Sequence, residues 1–229
     1  MLILALETSA KAASVALHDG QQLLAECYQN TGMTHSQTLM VMAEDLLKQC
    51  GLTPGDVTHV AVAAGPGSFT GIRIGVAAAK GFGWGAELPV YGVSTLEAMA
   101  KNLGVYEGVV CAVMDARRSQ VYNALFRAEK GSLRRICEDR AISLQELGQQ
   151  LENLHEPIYL VGDGSVLTAN TLPGLILPGE HRRHQRAAGV ALVAAEKIVA
   201  GEVADAAALE PNYLRLSQAE REKLEKNKL

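Results

Sequence analysis

The chain has 229 residues, 48% of them hydrophobic, and a net charge of −4 at pH 7. That is enough apolar material for one large domain or two small lobes, and it excludes a disordered chain. The acidic balance argues against a stand-alone nucleic-acid binder, whose non-specific affinity would come from basic residues displacing counterions on phosphates.

Residues 2–6 are apolar and β-compatible, but no basic flank precedes them and Glu7 breaks the run. A signal-peptide core or membrane span is therefore incomplete, and a cytoplasmic protein without a membrane segment is expected. The run reads as a first strand, and residues 12–17, alternating small or polar with branched residues, as a second. Asp19-Gly20 predicts a two-residue hairpin turn into an antiparallel third strand. At Thr34-His35-Ser36-Gln37 a capping box is predicted, its Thr and Gln side chains satisfying free N–H groups at a helix start. Leu39, Met42, Ala43 and Leu46 give that helix an apolar face, and Gly51 can close it. A buried strand over 60–64 leads through a glycine-rich loop to a second helix, about 70–84, and a strand over 89–93. This βαβ unit makes the sheet mixed.

A second unit starts near Val109, with strands over 109–114 and 121–126 and a capping box at Ser143-Leu144-Gln145-Glu146 opening a helix. A strand over 158–161, apolar residues 175–177 and an Ala-rich helix over 187–200 follow. By fold analogy, this order is the repeat of ribonuclease-H-like and actin-like proteins. The expected fold is α/β, a two-lobed actin/Hsp70-like (ribonuclease-H-like) architecture with mixed five-stranded sheets and a degenerate second lobe. Residues 1–100 would form the first lobe and 101–215 the second, with the late helix able to pack back on the first. Residues 216–229 form a charged tail, read as a short fraying helix. Cys27, Cys50, Cys111 and Cys137 are far apart, without a C-x-x-C pair, and read as reduced core thiols. The basic run His181 to Arg186 reads as a solvated loop.

Two segments could carry chemistry. The loop Gly65-Pro66-Gly67-Ser68-Phe69-Thr70-Gly71 lies where a strand hands over to a helix, a place where amides and the helix dipole can hold an anion. It lacks the Gly-Lys-Ser/Thr ending of a P-loop, and Thr70 stands where a dinucleotide fingerprint has its third glycine. Gly65, Gly67, Ser68, Thr70 and Gly71 are thus a weak phosphate loop, or simply the means of a tight turn and close helix packing. Glu7, Asp115 and Asp163, each near a strand end, could form a carboxylate cluster for Mg²⁺ in a stand-alone actin-like ATPase or phosphotransferase, or be plain turn formers. No metal-binding motif stands out, and His181 and His184 have no glutamate base between them.

Glu7-Thr8-Ser9, His35-Ser36, the run from Gly65 through Arg73 to Gly75, Gly92-Val93-Ser94-Thr95-Leu96-Glu97-Ala98, Asp115-Ala116-Arg117-Arg118 and Pro211-Asn212-Tyr213-Leu214-Arg215 together resemble the TsaB (YeaZ) family. The resemblance spans nearly the whole chain. It implies an actin-like scaffold subunit, not itself catalytic, that partners a TsaD-like catalytic subunit and a TsaE-like ATPase. Their product is N6-threonylcarbamoyladenosine at position 37 of tRNAs reading codons that begin with A. The resemblance further implies a homodimer when the chain is alone, tRNA contact only through the complex, and no cofactor bound alone, with ATP or ADP a candidate at the interface with the partner. Where TsaD-like proteins carry a His-x-x-x-His metal motif, this chain has Thr95 and Met99, so no metal residues are assigned. The two helices are the implied partner face, with Leu39, Met42, Leu46, Ile74, Gly75, Ala78, Ala79 and Phe82 as interface candidates.

Overall fold

A computed structural model describes residues 1–215 apart from 106 and 118. The charged tail expected over 216–229 lies outside the described residues. In chain order the elements are β1 (Ile3–Glu7), β2 (Ala13–His18), β3 (Leu23–Gln29), α1 (His35–Gln49), β4 (His59–Gly65), α2 (Phe69–Gly85), β5 (Val90–Ser94), α3 (Thr95–Leu103) and β6 (Gly108–Asp115). Then come β7 (Gln120–Glu129), β8 (Ser132–Arg135), β9 (Arg140–Ser143), α4 (Leu144–Leu151), β10 (Ile158–Val161), α5 (Ser165–Thr171), α6 (Glu180–Arg183) and α7 (Ala187–Val199).

The first sheet has the order β3-β2-β1-β4-β5, with β1 antiparallel to β2 and parallel to β4. The second runs β10-β6-β7-β8, and β9 pairs with the other half of β7. It repeats the first imperfectly: the apolar residues near 176 contribute only an isolated bridge, Tyr159 to Ile176, where a last strand would lie. This is the two-lobed actin-like α/β fold, with a degenerate second lobe.

Every residue of β1 and β2 is buried, because the sheet is covered on both faces. Leu4, Leu6, Val15, Leu17, Val60 and Val62 point to one side and meet Leu39, Met42 and Leu46 of α1 with Ile72 and Val76 of α2. Ile3, Ala5, Ala16, Ala61 and Ala63 point to the other and meet Val190, Ala191 and Ala194 of α7. Small residues let α7 lie close: a Cβ on Gly189 would collide with the Ala98 carbonyl of α3. The second sheet packs Val110, Ala112, Met114 and Phe126 on Leu96 and Met99 of α3, and Val109, Val113 and Val121 on α4 through Leu144 and Leu147. The layers are therefore α1 and α2, first sheet, α7 and α3, second sheet, α4 and α5. No helix among the described residues is long and apolar enough to cross a membrane.

Several local expectations need correction. The hairpin after β2 has four connecting residues, 19–22, because Asp19 Oδ1 accepts the amides of both Gln21 and Gln22 at 2.8 Å, while Gly20 takes φ +96°. At α1 the capping box does not form: the Gln37 amide bonds the Thr34 backbone carbonyl at 2.9 Å, and among the described residues the Thr34 side chain makes no cap bond. α3 was not foreseen, although Ser94-Thr95-Leu96-Glu97 carries the capping pattern; the Ser94 hydroxyl accepts the Glu97 amide, and Gly104 ends the helix at φ +64°. Cys111 is buried, its thiol pushed up to about 12 by burial, but Cys50 is exposed and not a core thiol.

Candidate functional site

The glycine-rich loop joins β4 to α2, and its glycines allow close packing. Gly65 and Gly67 take φ +125° and +158°. Cβ atoms on Gly67 and Gly71 would run into the carbonyl oxygens of Ser9 and Thr8, and one on Gly75 into the Thr8 hydroxyl. These glycines let the start of α2 lie directly on the segment after β1. The amide of Ser68 is bound to Ser9 O at 2.7 Å, and the Ser68 hydroxyl caps α2 by accepting from the Gly71 amide at 3.3 Å. Two amides of the loop are thus engaged within the chain, and Gly67, Ser68, Phe69 and Thr70 line the neighbouring cleft.

That cleft, about 500 Å³, lies between the lobes. From the first lobe it is lined by Ser9, Lys11, Ser68, Phe69 and Thr70, and from the second by Asp115, Arg117, Tyr122 and Asp163, with Arg215 at its edge. Asp115 and Asp163 line this cleft; Glu7 does not, but lies buried near enough to Asp163 to feel its charge, as Asp163 feels that of Asp115. Glu7 Oε1 accepts the Ser9 amide, Asp163 Oδ1 accepts from Gln185 at 3.2 Å, and Asp115 Oδ1 accepts the Arg117 amide at 2.7 Å. Among the described residues no group of three His, Cys, Asp or Glu side chains could hold a metal ion. Burial is the main cause that raises the Glu7 carboxyl to about 7 and shifts Asp163 upward. Glu7 Oε2 is buried with no partner among the described residues. Thr95 and Met99 are buried at the start of α3, and the Thr95 hydroxyl likewise has no partner among the described residues.

The interface candidates divide. Leu39, Met42, Leu46, Gly75 and Ala79 are buried within the first lobe itself and cannot be an outward face of the folded chain. The apolar periodicity that singled them out is the signal of a core stripe. Ile74, Ala78 and Phe82 are half-buried at the rim of that core. Sequence reasoning missed the exposed apolar residues of the same helices: Met40 and Val41 on α1 and Trp84 on α2, which is 77% exposed. Their signal was available, as large apolar residues off the core stripe.

The basic run is less free than a solvated loop. Arg182 donates to Leu103 O, Gly162 donates its amide to Arg183 O, and Arg186 pairs with Glu26 at 2.6 Å while lying over Tyr28. It ties α6 and the start of α7 to both lobes.

A family model described as TsaD, tRNA N6-adenosine threonylcarbamoyltransferase, matches residues 29–223. The chain is 35% identical over 167 residues to the tRNA threonylcarbamoyladenosine biosynthesis protein TsaB of Escherichia coli (strain K12), covering 72% of each chain. The solved structure of YeaZ from Pseudomonas aeruginosa superposes with a TM-score of 0.77 at 28% identity, covering 93% of this chain and 99% of that one. Against the tRNA threonylcarbamoyladenosine biosynthesis protein TsaB of Bacillus subtilis (strain 168), identity is 33% over 233 residues, with 100% of both chains covered. With the whole length aligned and the two-lobed fold shared, the chain belongs to the TsaB (YeaZ) family.

Proposed function

We propose that this chain is a non-catalytic cytoplasmic subunit in the synthesis of N6-threonylcarbamoyladenosine on tRNA, supporting a TsaD-type catalytic subunit together with a TsaE-like ATPase. The observation that carries this reading is the end-to-end similarity to a TsaB protein. Thr95 and Met99 offer a hydroxyl and a thioether, poor ligands for a hard or borderline metal. The net charge of −4 supports tRNA contact through the complex rather than by this chain alone. ATP or ADP, where bound, is assigned to the interface with the partner; the Ser68 and Gly71 amides of the 65–71 loop are engaged within the chain.

The partner face proposed is the outer side of α1 and α2: Met40, Val41 and Trp84, which are exposed, with Ile74, Ala78 and Phe82 at its rim. A second copy of the chain would use the same face when the partner is missing. The test is a pull-down of tagged protein from native cytosol, with light-scattering mass determination of what elutes, alongside measurement of the modified nucleoside after gene deletion. A TsaD-like subunit in a defined heteromer and loss of the nucleoside would support the reading. Protein that elutes alone and hydrolyses ATP would overturn it. In the same assay Val41→Asp should abolish recovery of the partner while the isolated chain melts as wild type. Leu39→Ala should instead cost roughly 2–5 kcal/mol of folding stability.

A further inference from the structure

The segment Pro211-Asn212-Tyr213-Leu214-Arg215 touches both lobes. On the first lobe the Asn212 amide donates to Ala64 O at 2.7 Å, and the chain passes so close to Gly65 that a Cβ there would lie 2.5 Å from Asn212 O. The Tyr213 ring stacks on Phe69, with centroids 4.6 Å apart and planes within 9°. Its hydroxyl accepts from Arg73 Nε at 2.8 Å, and the Arg73 guanidinium also lies over both rings. On the second lobe Leu214 packs against the cluster of Leu96, Met114 and Phe126, and Arg215 donates to Ala116 O at the edge of the cleft. Tyr213 is 38% exposed, so its place is held by stacking and the arginine contact more than by burial in a core.

We propose that residues 211–215 are a latch between the lobes, seated on Phe69 and Arg73 on one side and on Ala116 on the other, so that the cleft opens only when one end lets go. Two lobes that meet around a cleft can move as rigid bodies, and a short segment fixed to both limits that motion. Releasing the first-lobe end also uncovers Phe69 and Arg73, so whatever binds those two side chains favours the open form.

The test is the interlobe distance distribution in the full-length chain. It is read by single-molecule energy transfer between fluorophores on encoded azido residues at exposed Lys48, in α1, and Gln149, in α4. Tyr213→Ala and Arg215→Ala should each shift the population to longer distances, with the closed fraction falling at least about twofold. Combining them should add little, because a latch undone at one end is undone. Tyr213→Phe keeps the stacking and should stay near wild type. If Tyr213→Ala fails to fold, the double variant Leu214→Ala/Arg215→Ala decides alone, since it removes both second-lobe contacts. An unchanged distribution in that folded double variant would overturn the latch.

Discussion

Gly71 and Gly81 lie ten residues apart on α2 and face opposite constraints. A Cβ on Gly71 would be driven into the Thr8 carbonyl, while nothing among the described residues lies within 4 Å of one on Gly81. Gly71→Ala is therefore expected to destabilise by about 1–3 kcal/mol through overpacking. Gly81→Ala should stabilise by up to about 1 kcal/mol through helix propensity, and urea melts of the two variants check both. The sequence showed that this loop was special but left two reasons open, since a tight packing glycine and a phosphate-loop glycine look alike until the neighbouring backbone is placed. Glu7 was likewise visible as a strand-end acid, but its burial depends on chain far away in sequence. Its carboxyl sits near 7 when folded and ionises near 4.5 when unfolded. It therefore favours the folded state fully below the lower value and loses that contribution as pH rises through the upper one. Asp163, also shifted upward, acts in the same direction. Stability should fall from about pH 5 to about pH 8, and Glu7→Gln should flatten part of that fall. Denaturant midpoints across the range are the measurement.

At the scale of elements, two capping boxes were read from the same pattern and only one forms. The Ser143 hydroxyl accepts the Glu146 amide at 3.2 Å, and the Glu146 carboxylate accepts back from Ser143. Ser143→Ala should cost about 1 kcal/mol, whereas Thr34→Ala should be close to neutral, because the Thr34 backbone rather than its side chain holds the first turn. Thermal melts separate the two. The pattern names residue types that can cap; whether they do depends on the entry path of the chain. Strands and helices with strong periodicity, such as β4, α2 and α7, were legible to within a residue or two. The short pieces β8, β9, α5 and α6 were not: unlike the equally short β10, Ile158–Val161, they are interrupted by polar or charged residues and are fixed by tertiary contacts.

At the scale of the molecule, the order of elements and the motif runs together made the two-lobed fold legible; of the seam between the lobes, the return of the late helix to the first lobe was legible and α3 was not. That seam is built by α3, unforeseen, and by α7, which packs its small residues on the first sheet although it belongs to the second half of the sequence. A fragment of residues 1–104 would expose Ile3, Ala5, Ala16, Ala61 and Ala63 on that face. It should fail to give a dispersed NMR spectrum, where an autonomous lobe would give one. A ribosome delivers this chain from the N-terminus, so β1 and β2 emerge first and wait until residues 187–195 are made before their second face is covered. The first strands to be synthesised are thus among the last to be completed, and their apolar face depends on chaperones or on speed of elongation during that interval.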